Sequence, residues 1–181
     1  MPYPPTFKAQ NLNHLFTVDQ TESPNETVGV HGKCMVVKAT EDHIEAMSPF
    51  IRDIDLLEVN AMGHTPSQAM RIALKQDDVT LTALDEYKEP FAMFGAGQVN
   101  KIAYIWCLGT HGLSDNSYQF IKSSRSYVRA LSKPYKCVFN FVHKDNTLAI
   151  NWLRFCGAYF IRNIEFSNQP FIEFIIKSEN V

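Results

Sequence analysis

Two carboxylates three residues apart, Asp55 and Glu58, are candidates for acid–base chemistry in the segment Asp55-Leu56-Leu57-Glu58-Val59. Burial disfavours the charged form of a carboxylate, so a half-buried one has a raised pKa and can accept a proton near neutral pH. The same spacing is also typical of a pair on a helix surface or of a turn cap. Both interpretations stay open, and His111 and His143 are weaker candidates for the same kind of role.

The elements that must position these side chains follow from periodicity and capping signals. Short apolar runs predict strands at 34–39, 79–84, 90–94, 102–108, 137–142, 158–166 and 171–177. Apolar spacings of three and four predict helices at 41–52, 66–76, 115–132 and 147–156, with residues 53–64 as the connection between the first two. Thr40 and Thr65-Pro66 are typical helix starts, and the three successive strands after residue 79 indicate an antiparallel meander.

The last predicted helix carries a clear apolar stripe. Ala149, Trp152, Leu153 and Cys156 recur at spacings of three and four, with Asp145 or Asn146 as the cap and Gly157 at the end. We expect the aromatic residues Trp106, Trp152, Phe155 and Phe171 to lie in the core, because large aromatic side chains at strand and helix spacing are usually buried.

Composition indicates one domain and excludes several classes of protein. The 181 residues are 45% hydrophobic, which is enough for a core, and the net charge of −2 leaves no general attraction to nucleic acid or to an anionic membrane. The sequence has no apolar run of about 20 residues and no signal-peptide pattern. We therefore expect no membrane span, and a location in a cytoplasm or in a particle assembled there.

The proline and cysteine positions give two further expectations, an extended arm and reduced cysteines. Residues 1–30 contain four prolines and no sustained apolar period, which predicts an extended arm before a domain at 31–181. The cysteines have no metal-site spacing and are expected to be reduced and mostly buried; they are Cys34, Cys107, Cys137 and Cys156.

The order of elements from residue 33 onward resembles the GNAT superfamily of acyl-CoA-dependent N-acyltransferases. Asn146, Ala149, Leu153, Gly157 and Ala158 follow the late pattern of that family, which has Asn, Ala, Tyr, Gly and Phe at these spacings. The resemblance implies an α/β fold of the α+β type, with a mixed, mainly antiparallel sheet flanked by helices. It also implies acetyl-CoA as the cofactor, if there is one, and no metal.

A closer resemblance is to the GNAT-like internal virion protein A family of short-tailed bacteriophages. It rests on Asp55-Leu56-Leu57-Glu58 through Gly63, on the meander at 90–106, and on Asn140-Phe141-Val142 through Gly157-Ala158. This resemblance implies a virion or assembly protein in the host cytoplasm or in the virion, with phage core proteins as partners through the arm at 1–30.

The resemblance also implies where the cofactor would lie. The pantetheine arm occupies the gap beside the strand at 102–108, and the pyrophosphate contacts N–H groups at the next helix start. The implied cofactor-binding residues are Trp106, Leu108, Gly109, Thr110, Gly112 and Asn146. The family has two glycines with one residue between them in this turn, whereas two residues separate Gly109 from Gly112, and Asp115 follows them. The alternative is a plain loop capped by Ser114 or Asp115.

The family chemistry needs a base for the amine and an acid for the departing thiolate. The resemblance places Asp55 and Glu58 on the acceptor side, where either could be the base. Leu153 stands where the family has the tyrosine that acts as the acid, and leucine donates no proton; Tyr159 or Tyr118 would have to replace it. We therefore expect a GNAT fold with degraded catalysis in a phage assembly protein, or alternatively an active acetyl-CoA-dependent N-acetyltransferase acting on a protein or a small amine.

Overall fold

The computed structural model describes residues 27–181, and residues 1–26 of the arm predicted at 1–30 lie outside this range. The described strands are β1 (Thr27–His31), β2 (Cys34–Lys38), β3 (Val79–Leu84), β4 (Pro90–Val99), β5 (Ile102–Gly109), β6 (Cys137–His143), β7 (Tyr159–Phe166) and β8 (Gln169–Lys177). The described α-helices are α1 (Glu41–Met47), α2 (Asp53–Ala61), α3 (Pro66–Gln76), α4 (Ser117–Ser132) and α5 (Thr147–Phe155). The first strand therefore begins four residues before the expected start of the domain.

The strands form one eight-stranded sheet in the order β1-β2-β3-β4-β5-β6-β8-β7. All neighbouring strands are antiparallel except β5 and β6, which are parallel. This mixed, mainly antiparallel sheet flanked by helices confirms the expected fold class. The meander is longer than expected, because β4 continues through Gly95 and Gly97 to a two-residue turn at Asn100-Lys101, where both residues have positive φ. Glycine has a weak strand preference, and for this reason the pattern had indicated an earlier end.

The starts of α1 and α3 agree with the capping signals, whereas one helix was missed. Thr40 and Thr65 both form capping boxes, and Pro66 lies in the first turn of α3. The expected first helix ends early, at Met47, because Pro49 has no N–H to continue the hydrogen-bond pattern. Residues 53–61, expected to be a connection, form α2, whose N-cap Arg52 makes no side-chain capping bond. The usual start signal is absent there.

Two apolar clusters lie on opposite faces of the sheet. On one face α4 and α5 cover strand residues that include Ala92, Phe94 and Ile105. On the other face α1 and α3 cover Met93 and Leu108. Successive strand residues point to opposite faces, and so each central strand contributes to both clusters.

The expectations for buried side chains are mostly confirmed. Phe171 is fully buried, and Trp106 and Trp152 pack against the clusters, but Phe155 is 47% exposed at the end of α5. The four cysteines are free, as expected, with Cys34 and Cys156 buried. In residues 27–181, no helix is both long enough and apolar enough to cross a membrane.

Candidate active site

The two parallel strands in the middle of the sheet meet at one point only. Tyr104 of β5 pairs with Phe139 of β6, and the side-chain amide of Asn140 then donates to the carbonyl oxygen of Ile105 at 2.8 Å. The residues that follow on the two strands, from Trp106 to Leu108 and from Phe141 to Val142, line a common cavity instead of pairing. The parallel pair therefore opens into a gap within the sheet.

This gap, which we call the β5–β6 cavity, has a volume of about 310 Å³ and is lined from both faces of the sheet. From the α2–α3 face it is lined by Glu58, Val59, Met62, Ala69, Ile72 and Asp77. From the α4–α5 face it is lined by Phe120, Ile121, Leu148, Ala149, Trp152 and Leu153. A mainly apolar cavity with a few inward polar groups is the usual form of a small-molecule site.

Glu58 lies in the wall of this cavity on α2. Its Oε1 accepts hydrogen bonds from the backbone N–H of His143 at 2.8 Å and from the Asn146 side-chain amide at 3.0 Å. Burial raises the pKa of this carboxyl to about 7, although both hydrogen bonds oppose the shift. The predicted proton acceptor is therefore a carboxylate whose charge changes near neutral pH.

Asp55 also lines the cavity but has a different environment. It is only 1% exposed, and the guanidinium of Arg52 donates to both of its oxygens at 2.7–3.0 Å. The Gly109 N–H donates to Asp55 Oδ2 at 2.8 Å, and the Arg52 N–H donates to the Gly109 carbonyl at 3.0 Å. Burial raises the pKa of Asp55, against the opposing effect of Arg52. This network attaches the start of α2 to the end of β5.

The structure brings some of the predicted cofactor residues together and places others outside the cavity. Trp106, Leu108 and Asn146 line it, and the Asn146 side chain also caps α5 by accepting from the Ala149 N–H. Gly109 contacts the cavity network through Asp55. Thr110 and Gly112 belong to the adjoining turn and are not among the lining residues.

The turn after β5 uses most of its N–H groups internally. Thr110 donates to the Phe91 carbonyl, Gly112 to the Thr110 hydroxyl, and Leu113 to the Thr110 carbonyl. The turn contains a 3-10 segment at His111–Leu113, and α4 starts only at Ser117 after the N-cap Asn116. The expected caps Ser114 and Asp115 were therefore wrong. His111 is 65% exposed and lies 4.0 Å from Asp53 at the surface.

Leu153 is buried in the cavity wall, at the position where the resemblance expects a tyrosine. Tyr118 and Tyr159 are 77% and 52% exposed and do not line the cavity. The tyrosine that does line it is Tyr104, which sequence reasoning missed. Burial and the neighbouring Asp77 raise the pKa of this phenol.

Asp77, Tyr104 and Trp106 form a second polar group in the cavity; of the three, the sequence had indicated only Trp106, as a core and cofactor-binding residue. The Tyr104 hydroxyl donates to Asp77 Oδ1 at 2.5 Å, and the Trp106 indole N–H donates to Asp77 Oδ2 at 2.6 Å. The strand partners of Trp106 and Tyr104 on β4 are Gly95 and Gly97. Two glycines at this spacing were the available signal, because glycine within a strand often marks a close approach by another group.

We expect Gly95→Ala to lower the free energy of unfolding by about 1–3 kcal/mol, as overpacking usually does. A Cβ atom at this position would lie 2.4 Å from the Val79 carbonyl oxygen and 3.2 Å from both Asp77 Oδ2 and Trp106 Nε1. Urea denaturation measures the effect. Gly112→Ala is the matched control, since its nearest contact would be 3.3 Å. Equal stability losses in the two variants would contradict this account of Gly95.

Comparison with solved structures identifies the architecture. A GNAT-family acetyltransferase from Bacillus anthracis is similar, with a TM-score of 0.62 and 11% identity over 83% of this chain and 98% of its own. A GCN5-related N-acetyltransferase from Kribbella flavida has a TM-score of 0.60 and 13% identity over 80% and 98% of the two chains. This chain has the GNAT fold. A GCN5-related N-acetyltransferase from Brucella melitensis gives 0.55 and 9% identity over 83% and 78%.

Comparison of the sequence gives no match, either to a protein-family model or to a curated protein. The resemblance to the phage virion family therefore stays a prediction. The β5–β6 cavity lies beside β5, in the region where the resemblance to the GNAT superfamily expects a pantetheine arm. Within the described residues, no group of three or more His, Cys, Asp or Glu side chains could hold a metal ion.

Proposed function

We propose that this GNAT-fold protein is an acyl-CoA-dependent N-acyltransferase that uses Glu58 as the base. The observation that carries the proposal is the β5–β6 cavity, which is lined from both faces of the sheet and has the Glu58 carboxylate in its wall. A donor entering from one face and an acceptor entering from the other would meet there. A base with a pKa of about 7 is well suited to remove a proton from an amine at neutral pH.

The backbone of β5 fits a pantetheine arm. The Ile105 carbonyl and both backbone groups of Gly109 face away from β4, because they bond to Asn140, Asp55 and Arg52. Polar backbone groups of alternate residues point to the same edge of a strand, and so those of Cys107 also point into the gap. An amide-containing chain could bond to them as an added strand would. Bound acetyl-CoA would supply the activated acyl thioester.

The pyrophosphate would be bound beyond the turn that was expected to hold it. The N–H groups of Gly109, Thr110 and Gly112 already have protein acceptors. The first N–H groups of α4 have no acceptor within the helix, and the positive end of the helix dipole favours an anion there. In this proposal α4 binds the pyrophosphate, and Gly109 positions Asp55.

Each of the two carboxylates then has its own role. Glu58 would accept the proton of the attacking amine. Its donors, the His143 N–H and the Asn146 amide, are neutral, and the charge of the carboxylate changes near neutral pH. Asp55 would be a positioning residue, since Arg52 and Gly109 already occupy its oxygens. The bonds among Asp55, Arg52 and Gly109 hold α2, and with it Glu58, against the end of β5.

Two observations favour a second candidate, a phage assembly protein with degraded catalysis. Leu153 replaces the expected acid, and the turn after β5 uses its N–H groups internally. In that proposal residues 1–30 dock the protein on phage core proteins in the virion or in the host cytoplasm. Quantitative mass spectrometry of purified particles tests it, and absence of the protein from virions and procapsids would reject it.

We expect Ala149→Phe to weaken the binding of acetyl-CoA by roughly tenfold or more, the effect of about 1.4 kcal/mol. Ala149 lines the cavity at the start of α5, and a phenylalanine would occupy the space beside Trp152. Isothermal titration calorimetry with acetyl-CoA measures this. Asn151→Phe is the matched control, because it adds the same side chain at an exposed position of α5. Absence of acetyl-CoA binding by the unmodified protein at millimolar concentration would reject the enzyme.

A further inference from the structure

We infer that Asp77, Tyr104 and Trp106 form a binding site for an ammonium group, and that the preferred acyl acceptor is an alkyl diamine. One amine would react beside Glu58, and the other would stay protonated at Asp77. This inference rests on the proposed acyl transfer and names the acceptor for the same cavity. We call the three residues the Asp77 site.

The Asp77 site is built into the sheet. On β4, Gly95 and Gly97 stand opposite Trp106 and Tyr104 of β5. A Cβ atom on Gly97 would lie 2.8 Å from the Tyr104 hydroxyl and 3.0 Å from Asp77 Oδ1, and one on Gly95 would crowd Asp77 as well. The carboxylate therefore occupies space that two missing side chains provide, and it lines the cavity instead of pointing to solvent.

The charge around Asp77 favours a cationic ligand. Its two hydrogen-bond donors, Tyr104 and Trp106, are neutral, and the charged neighbour that acts on its pKa is a second carboxylate, Asp78. Each Asp77 oxygen can accept a further hydrogen bond, because a carboxylate has about four acceptor positions. Indole and phenol rings also attract an ammonium group through their faces. An ammonium in the cavity would compensate a carboxylate that is partly buried and held by neutral donors.

The wall of the cavity on this face suits a methylene chain. Along α3, Ala69 and Ala73 line it at a spacing of four, and Asp77 follows four residues later at the C-cap. Along α2, Glu58 and Met62 line it at the same spacing. Neighbours four residues apart share one helix face, so each carboxylate lies on the same helix face as apolar residues that line the cavity.

The reaction leaves the second ammonium unchanged. The neutral amine nitrogen forms a bond to the thioester carbon, the bond from carbon to sulfur breaks, and Glu58 takes the proton that the nitrogen loses. This step leaves an amide, a thiolate and a protonated Glu58, and the thiolate becomes a thiol when that proton reaches the sulfur through solvent. The charge on the distant nitrogen is constant throughout, and the Asp77 site therefore contributes to binding and orientation.

Steady-state acetyl transfer to 1,5-diaminopentane and to n-pentylamine tests the inference, because the two differ only in the second amine. We expect the diamine to have a kcat/KM roughly 10- to 100-fold higher, the effect of one hydrogen bond to a charged group. Asp77→Asn should remove this preference, mainly through the KM for the diamine. Asp78→Asn is the matched control and should retain it, since Asp78 bonds to Tyr135 and does not line the cavity. Equal kcat/KM values for the two amines with the unmodified protein would overturn the inference.

Binding without acyl-CoA separates this inference from the proposed enzyme. In a Trp152→Phe background the indole emission comes from Trp106, the other tryptophan of the chain. We expect 1,5-diaminopentane, but not n-pentylamine, to change this emission, and Asp77→Asn to abolish the change. If no amine is acetylated and the emission still changes, the Asp77 site stands and the acyl transfer fails. An unchanged emission at saturating diamine would overturn the site, even in a protein that acetylates amines.

Discussion

Glu58→Gln is expected to lower kcat for acyl transfer by about 10²- to 10⁴-fold, the usual contribution of a positioned general base. Glutamine keeps the size of the side chain, and its carbonyl oxygen can still accept from His143 and Asn146 as Glu58 Oε1 does. The loss would therefore come from the missing proton acceptor. Steady-state kinetics with acetyl-CoA and an amine measure it, and Glu165→Gln on the exposed side of β7 is the control.

The pH dependence should change with the same substitution. Burial raises the pKa of Glu58 to about 7, and only the deprotonated form accepts a proton. The rate of the unmodified protein should therefore rise with pH through about 7, separately from the rise at higher pH that deprotonation of the amine substrate gives. Glu58→Gln should lack the rise through about 7. A variant that keeps both the rate and the rise would show that another group is the base.

Stability should change in the opposite direction to activity. Between pH 4.5 and about 7 the folded protein keeps the Glu58 proton, whereas the unfolded chain has lost it, and so stability falls as pH rises through this window. A shift from 4.5 to about 7 corresponds to roughly 3 kcal/mol at most, since one unit is about 1.4 kcal/mol. Glu58→Gln avoids this cost and should unfold at a higher temperature than the unmodified protein at pH 8. Near pH 4 the two should be alike.

Arg52→Met is expected to lower the free energy of unfolding by about 3–5 kcal/mol, because it leaves a buried carboxylate without its partner. The Asp55 side chain is 2% exposed and that of Arg52 is 15% exposed, so water cannot replace the guanidinium efficiently. The backbone bond from the Arg52 N–H to Gly109 should persist in the variant. The effect therefore reports on the side-chain pair.

The double variant Arg52→Met with Asp55→Leu is the decisive control for this pair. Replacing both charges by apolar groups removes the desolvation cost together with the attraction, so it should cost less than Arg52→Met alone. Urea denaturation of Arg52→Met, of Asp55→Leu and of the double variant gives the coupling free energy between the two side chains. If Arg52→Met lowers the free energy of unfolding by less than about 1 kcal/mol, the pair behaves as an exposed ion pair does, and this account of Arg52 is wrong.

Local signals were sufficient for most elements. Thr40 and Thr65-Pro66 marked helix starts, and the stripe from Ala149 to Cys156 marked α5 with Asn146 as its cap. These signals act within about four residues, so they can be recognised without knowing the fold. The missed helix α2 has no side-chain cap at Arg52, and the missed end of β4 follows Gly95 and Gly97. Sequence patterns failed where the local preference was weak and packing determined the structure.

The candidate site, too, could be predicted from the sequence only in part. From the sequence we could predict the order of most strands and helices, the GNAT-like fold through the resemblance, and the carboxylates Asp55 and Glu58 as candidates. The folded structure was needed to show that Arg52 and Gly109 bond to Asp55, while Glu58 lines the cavity with a raised pKa. The bonds from Tyr104 and Trp106 to Asp77 join residues 27 and 29 positions apart. Periodicity shows which face of an element is buried, but not which residue of another element it meets, because packing makes that choice.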